Sequence, residues 1–189
     1  MNALDAIDRR RSIRAFDPDH IIPKEQMDQI IKAACHSPTA NNSQEVDIIV
    51  VHNNEKINKA SDIIYTAWPE GVKGFFDSRK ADYGVQNVIT CDAPYLVLFV
   101  LNGNEKNIQI STLPYVDTGI MTMALMVAAS SLGLDTLCLG SLLWGNVEGL
   151  EEYLEIPKGK LAMAVALGKT RDGFKNHEIE RKTQVKIVE

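Results

Sequence analysis

Apolar positions along this chain follow two rhythms, one helical and one continuous, and the change between them outlines most of its elements. Tyr95-Leu96-Val97-Leu98-Phe99-Val100-Leu101 is unbroken, of strand length and introduced by Pro94, which predicts a strand buried on both faces. Residues 46–51 form a shorter β-branched run. Asn53-Asn54 end that strand and cap a helix predicted over 55–68. Met27, Ile30, Ile31 and Ala34 repeat at helical spacing behind Pro23, a residue suited to a first turn. Ala3, Leu4 and Ile7 mark a short N-terminal helix. The run Arg9-Arg10-Arg11 closes it with cations that complement the helix dipole. Further strands are predicted over 136–139 and 161–167, with a short helix at 147–153 between them.

The most strongly helical segment is 115–133, which is apolar nearly all round and ends at Gly133. Ala124, Ala128 and Ala129 permit close helix approach, and Met121, Met123 and Met126 fill irregular gaps. Such a helix in a small chain is expected to complete its burial against a second subunit. Its greasiest stretch, 119–134, is interrupted by Thr122, Ser130 and Ser131 and falls short of the ~20 residues of a membrane span. It is therefore read as a core helix, with no membrane partner. Residues 36–45 are rich in Ser, Pro, Thr and Asn and read as a loop. Residues 69–92 show no clear rhythm and receive no element. Within the polar stretch 170–189, Val185-Lys186-Ile187-Val188 is suited to an edge strand, in its own sheet or a partner's. Irregular alternation of helices and strands predicts an α+β domain around a mixed sheet.

Composition narrows the function. A chain of 189 residues suits one domain, taken as 1–189 with a core of 1–171 and a C-terminal extension of 172–189. The net charge of −5 supplies no global positive field, which argues against nucleic acid and anionic membranes as partners. Cys35, Cys91 and Cys138 form no C-x-x-C pair, and His20, His36, His52 and His177 show no H-E-x-x-H spacing, so no metal site is expected. An odd, sparse set of cysteines suits a reducing cytoplasm. The first residues, MNALDAIDRRRS, mix acids with bases and lack the apolar core of a signal peptide.

Positive charge is nevertheless concentrated at two places. Arg10-Arg11-Ser12-Ile13-Arg14 packs three guanidiniums and a hydroxyl into five residues; if extended, it places Ser12 and Arg14 on one face. Gly168-Lys169-Thr170-Arg171 puts Lys169 and Arg171 together beyond a buried strand, with a glycine that allows a turn and close approach of a ligand. Guanidinium forks and a hydroxyl match phosphate oxygens. The bland alternative is solvated surface, with Asp5, Asp8, Asp17 and Asp19 as partners.

Four segments, in order, resemble the nitroreductase family. They are Arg10-Arg11-Ser12-Ile13-Arg14-Ala15-Phe16, the loop Ser37-Pro38-Thr39-Ala40-Asn41-Asn42-Ser43-Gln44, Leu132-Gly133-Leu134-Asp135 followed by a strand and Gly140-Ser141, and Leu167-Gly168-Lys169-Thr170-Arg171. The resemblance implies a nitroreductase-like α+β fold, with a mixed or antiparallel sheet flanked by helices. It implies a homodimer holding two FMN at its interface, with the long apolar helix in that interface and the C-terminal tail reaching the partner. It also implies hydride transfer from NAD(P)H through flavin N5 to a nitroaromatic, quinone or similar acceptor, so the cofactor carries the chemistry and no catalytic side chain is required. Donor and acceptor would share one open flavin face and alternate by a ping-pong mechanism.

On this reading Arg10, Arg11, Ser12, Arg14, Lys169 and Arg171 are candidates for the FMN phosphate. Pro38, Thr39, Asn42 and Gln44 are candidates for the ring edge, where amide side chains offer donors and acceptors, and Gly140 and Ser141 for backbone N–H groups facing N5. Lys80 is carried from Phe76-Asp77-Ser78-Arg79-Lys80, which loosely resembles a further cofactor-contacting segment. Gln44 is followed by Glu45-Val46 where the family usually has Pro-Trp, which predicts an altered pocket lip. Other FMN chemistry on the same fold (reductive dehalogenation, flavin fragmentation) and a non-catalytic flavin- or phosphate-binding module are the alternatives.

Overall fold

The fold is built around β2 (Tyr95–Leu101), whose seven residues are all buried. β1 (Val46–Val51) and β4 (Leu161–Gly168) flank it, and β3 (Asp135–Cys138) adds to β4, giving the order β1-β2-β4-β3. All three pairings are antiparallel. Of the arrangements expected from the sequence, the four strands take the antiparallel one; the isolated bridge between Ser12 and Thr136 is parallel. The computed structural model describes residues 1–103, 112–175 and 182–188.

Side chains alternate across a strand, and β2 feeds two cores. Leu96, Leu98 and Val100 meet Ile57, Ala60 and Ile64 of α3 (Asn54–Thr66), together with Leu150 of α6 (Val147–Tyr153). Val97, Phe99 and Leu101 meet Ile30 and Ala34 of α2 (Lys24–Cys35) and Met121, Leu125 and Ala129 of α5 (Leu113–Ser131). Each of the Val, Leu, Ile, Phe and Met side chains among them contributes about 1.5–3 kcal/mol by leaving water. α1 (Ala3–Arg9) lies along α5 and is capped by Asn2, whose Oδ1 accepts the Asp5 N–H. Asn53 caps α3 in the same way through the Lys56 N–H.

Three features depart from the sequence reading. α4 (Glu70–Tyr83) occupies the stretch given no element; Phe76 is its one fully buried residue, so no apolar stripe marks it. α5 starts at Leu113 with proline in its first turn, earlier than the pattern indicated. Its 19 residues are long and apolar enough to cross a membrane by length and composition, although half of the relevant window is buried in the fold. Finally, Val185, Ile187 and Val188 are over 80% exposed, and 182–188 pair with no strand of their own sheet. The extension 172–189 lies partly outside the described residues.

Candidate functional site

The two basic segments meet. Residues 13–17 run antiparallel to 169–171: the Asp17 N–H donates to the Lys169 carbonyl and the Arg171 N–H to the Ala15 carbonyl, both at 2.9 Å, with Phe16 bridging Thr170. On the other side, the Ile13 N–H donates to the Thr136 carbonyl. More than 150 positions of sequence separate the partners, and the sheet closes that gap. Ile13, Ala15 and Phe16 are buried, which anchors the segment and turns Ser12 outward.

Around this junction Arg10, Arg14 and Lys169 make no ion pair among the described residues. Arg14 donates to the Ser12 carbonyl, and Arg10 lies near Cys138, whose thiol is pushed up by burial and partly drawn back by that cation. Asp5 and Asp17 make no ion pair with it among the described residues: Asp5 accepts from the Asn2 amide and Asp17 from the Asp19 N–H. Arg11 curls back onto the carbonyls of Asp8 and Arg10. Arg171 donates to the Gly84 carbonyl and to Asp92, at 3.0 and 2.8 Å, so its fork serves the framework. Gly168 has a packing role. A Cβ there would come within 2.8 Å of Pro94 Cδ and 3.2 Å of Phe16.

Sequence reasoning missed the residues that hold this junction, because their partners are remote. Arg9 links α1 to the carbonyls of Ser130 and Leu134, both at 3.0 Å, and pairs with Asp135 at 3.1 Å. Asp135 also accepts from the Thr170 N–H and hydroxyl. Asp92 accepts the N–H groups of Gln86 and Asn87. Cys91 and Asp92 both have positive φ, 57° and 64°, and this tight turn presents the Cys91 carbonyl to the Phe16 N–H. Arg79 reaches into the same turn from α4 and donates to the Val88 carbonyl at 2.7 Å. Lys80, one position and about 100° further round the helix, pairs instead with Asp77, which also accepts from Tyr65. The Tyr65 hydrogen bond, with lesser help from Lys80, holds the Asp77 carboxyl below its ordinary range.

The polar loop hangs from the opposite end of α5. The Ala40 N–H donates to the buried Asp117 carboxylate. Asn41, Asn42 and Gln44 have φ of 53°, 55° and 52°, a cluster of left-handed residues without glycine. Such strain is found where a loop's shape is used. Thr39 Oγ1 accepts the Gln44 N–H, and the Gln44 amide donates to Asn42, leaving both amide side chains at the surface beside exposed Pro38. Glu45 packs against the end of β2. Its carboxylate lies so close to Gly103 that a Cβ there would collide with it, and its carbonyl accepts the Asn102 N–H.

Beyond β3, Gly140 and Ser141 open a 3-10 turn (Gly140–Leu143), where the first N–H groups have no preceding helical carbonyl to donate to. Gly140 faces open space. Of the aromatics near these elements, Trp68 and Phe76 are core residues, whereas Phe75, Tyr115 and Trp144 are more than half exposed. An apolar groove of about 690 Å³ runs between α1, α2 and α5, lined by Met1, Ile7, Ala33, Ile120, Met123 and Val127. Among the described residues no group of three or more His, Cys, Asp or Glu could hold a metal ion.

Comparison with known proteins places this geometry among relatives. The family model described as "Nitroreductase family" matches residues 7–169. An FMN reductase (NAD(P)H) of Bacillus subtilis is 32% identical over 154 residues, covering 78% of this chain; the chain spans 57% of that relative's length. Nitroreductase NfnB of Mycolicibacterium smegmatis is 25% identical over 191 residues, covering 86% of this chain and 80% of its own. The crystal structure of a nitroreductase with bound FMN from Bacteroides fragilis superposes with a TM-score of 0.81 at 21% identity, covering 100% of both chains. A BluB-like flavoprotein from Clostridium difficile reaches 0.74 at 20% identity, covering 98% of this chain and 100% of its own.

Proposed function

Since the chain belongs to the nitroreductase family, we propose that it is an FMN-dependent oxidoreductase that passes hydride from NAD(P)H to a small organic acceptor such as a nitroaromatic or quinone. The observation that carries this reading is the backbone pairing of 13–17 with 169–171, which sets the segment bearing Arg10 and Arg14 beside the one bearing Lys169, none of the three ion-paired among the described residues. A phosphate monoester carries roughly 1.5 to 2 negative charges near neutral pH and suits such a cluster. Arg10, Ser12, Arg14 and Lys169 hold the phosphate. Arg11 and Arg171, engaged with carbonyls and Asp92, shape the backbone around it.

Asn42 and Gln44 offer the amide donors and acceptors that the ring edge requires, and Pro38 and Thr39 set their loop. The open N–H groups of Gly140 and Ser141 suit the accumulation of electron density on a reduced ring. Bound FMN supplies two-electron hydride transfer, which the protein has only to orient. Lys80 is a weaker member of the site, being committed to Asp77.

The working unit is a homodimer. Asp117, which holds the polar loop, and Ser130, beside the basic junction, are thirteen positions apart on α5, or about 20 Å of helix. A two-fold partner lying along the apolar α1–α2–α5 groove brings its own loop toward this chain's junction and covers Ile120 and Met123. The exposed patch around Val185 is free to extend that partner's sheet. The chain is one domain, and its three free cysteines suit the cytoplasm.

The deciding experiment is visible absorption of the protein after addition and removal of excess FMN, followed by anaerobic NADH or NADPH. Retained flavin absorbance that bleaches, with parallel double-reciprocal lines for donor and acceptor, is expected. Retained flavin that neither nucleotide reduces would identify a binding module, and no retained flavin would refute the reading.

A further inference from the structure

The fold holds Trp144 by its backbone and leaves its ring unused. The Trp144 N–H donates to the Ser141 carbonyl at 3.3 Å, and its carbonyl accepts the indole N–H of Trp68 at 3.2 Å. Trp68 is itself buried, with its ring 4.5 Å from that of Phe76. Gly145, next in the chain, has a φ of 89°, and a Cβ there would come within 3.2 Å of the same Trp68 ring. Leu142, just upstream, is fully buried. Trp144 nevertheless remains 56% exposed, and its indole makes no ring contact among the described residues. Exposure alone would mean little, since single apolar side chains are common at surfaces. Position gives it meaning. One hydrogen-bonded turn separates this ring from the open N–H groups of Gly140 and Ser141.

We propose that Trp144 is a specificity-determining residue, whose indole walls the acceptor site and stacks on planar aromatic acceptors in preference to compact ions and saturated rings. The inference rests on the oxidoreductase reading and deepens it by naming the acceptor class. An indole offers a flat, electron-rich face, and offset stacking adds to the gain from buried area. Because the backbone at Trp144 is bonded on both sides, little freedom is lost when a ligand arrives. Menadione, a planar naphthoquinone, takes up a hydride and a proton to become its hydroquinone. Two ferricyanide ions take one electron each, a proton is released, and neither ion has a face to stack.

The test uses the FMN-loaded protein as wild type, Trp144→Leu and Trp144→Phe. Benzoate and cyclohexanecarboxylate, equal in charge and similar in size, are titrated against the oxidised protein and read from the shift of the flavin's visible band. Wild type is expected to bind benzoate more tightly, and Trp144→Leu to lose about 3- to 10-fold of that preference, with Trp144→Phe restoring most of it. The ratio of kcat/KM for menadione to kcat/KM for ferricyanide is expected to fall by a similar factor in Trp144→Leu. If either quantity is unchanged, or if both carboxylates weaken equally, the assignment is overturned. A variant that dissociates in sedimentation while keeping the aromatic preference assigns the ring to a contact between copies and also overturns it. A wild type that holds and bleaches FMN but shows no aromatic preference sinks this inference alone. One that retains no FMN, or whose FMN neither nucleotide reduces, refutes the oxidoreductase reading and this inference with it.

Discussion

Arg171 donates to Asp92 across 2.8 Å, and that carboxylate also receives the N–H groups of Gln86 and Asn87. A side chain expected at a ligand thus staples the strand exit after β4 to the turn before β2. Asp92→Ala removes all three acceptor roles and a residue that tolerates positive φ, and is expected to cost about 2–4 kcal/mol in urea unfolding. Asp92→Asn keeps much of the geometry and is expected to cost less. Arg171→Ala, at a partly exposed pair, is expected to cost about 1 kcal/mol. Equal stability of all three variants and wild type would show that the staple is idle.

Arg14→Ala is expected to weaken FMN binding by about 10- to 100-fold, the span of one charge-assisted bond. Lys169 is exposed and more screened, so Lys169→Ala is expected to cost only about 3- to 10-fold, a gap that narrows as salt rises. Flavin fluorescence quenching measures both.

Burial pushes the Cys91 thiol up to about 11, against an ordinary value near 9, with Arg79 and Arg14 opposing the shift. The folded state therefore binds the thiol proton more tightly than the unfolded state. Its contribution to stability is complete below pH 9 and is lost as pH rises toward 11. Cys91→Ser, which titrates nowhere in that window, is expected to lose less stability between pH 9 and 11 than wild type in denaturant melts. Iodoacetamide at pH 8 is expected to label exposed Cys35 and spare Cys91.

Gly168→Ala tests packing at the end of β4. Its Cβ would press on Pro94 and Phe16, and a loss of about 1–3 kcal/mol is expected by thermal or urea unfolding. A fully stable variant with weakened FMN binding would support the ligand-approach role.

Ile120→Glu and Met123→Glu place charges in the α1–α2–α5 groove without touching the buried face of α5. Sedimentation is expected to show monomers, with far-UV dichroism unchanged and FMN affinity lowered because the partner's loop is lost. Unaltered dimers would place the interface elsewhere.

Much of the fold was legible because burial writes itself into local pattern. The seven apolar residues of β2, the spacing of Ile30 and Ala34 on α2 and the cap at Asn53 each carry their physical cause within a few positions. α4 was illegible for the converse reason: with one fully buried residue it has no stripe to read, and Gly71 and Gly74 further obscure it. The basic clusters were visible as residue types, yet which cations pair with a carboxylate was not. Arg171 and Lys80 are spent on Asp92 and Asp77, while Arg79, which the motif passed over, makes no ion pair among the described residues.

By itself, then, the order of residues determined every helix and strand but α4, the doubly buried central strand and the presence of two positive segments, since propensity and periodicity act over neighbours. Only the tertiary structure decided that 13–17 lie against 169–171, and which guanidiniums find a carboxylate there. Those outcomes depend on long-range strand pairing and on competition among charges for partners, and a single electrostatic neighbour changes the role of an arginine without leaving any trace in its local sequence.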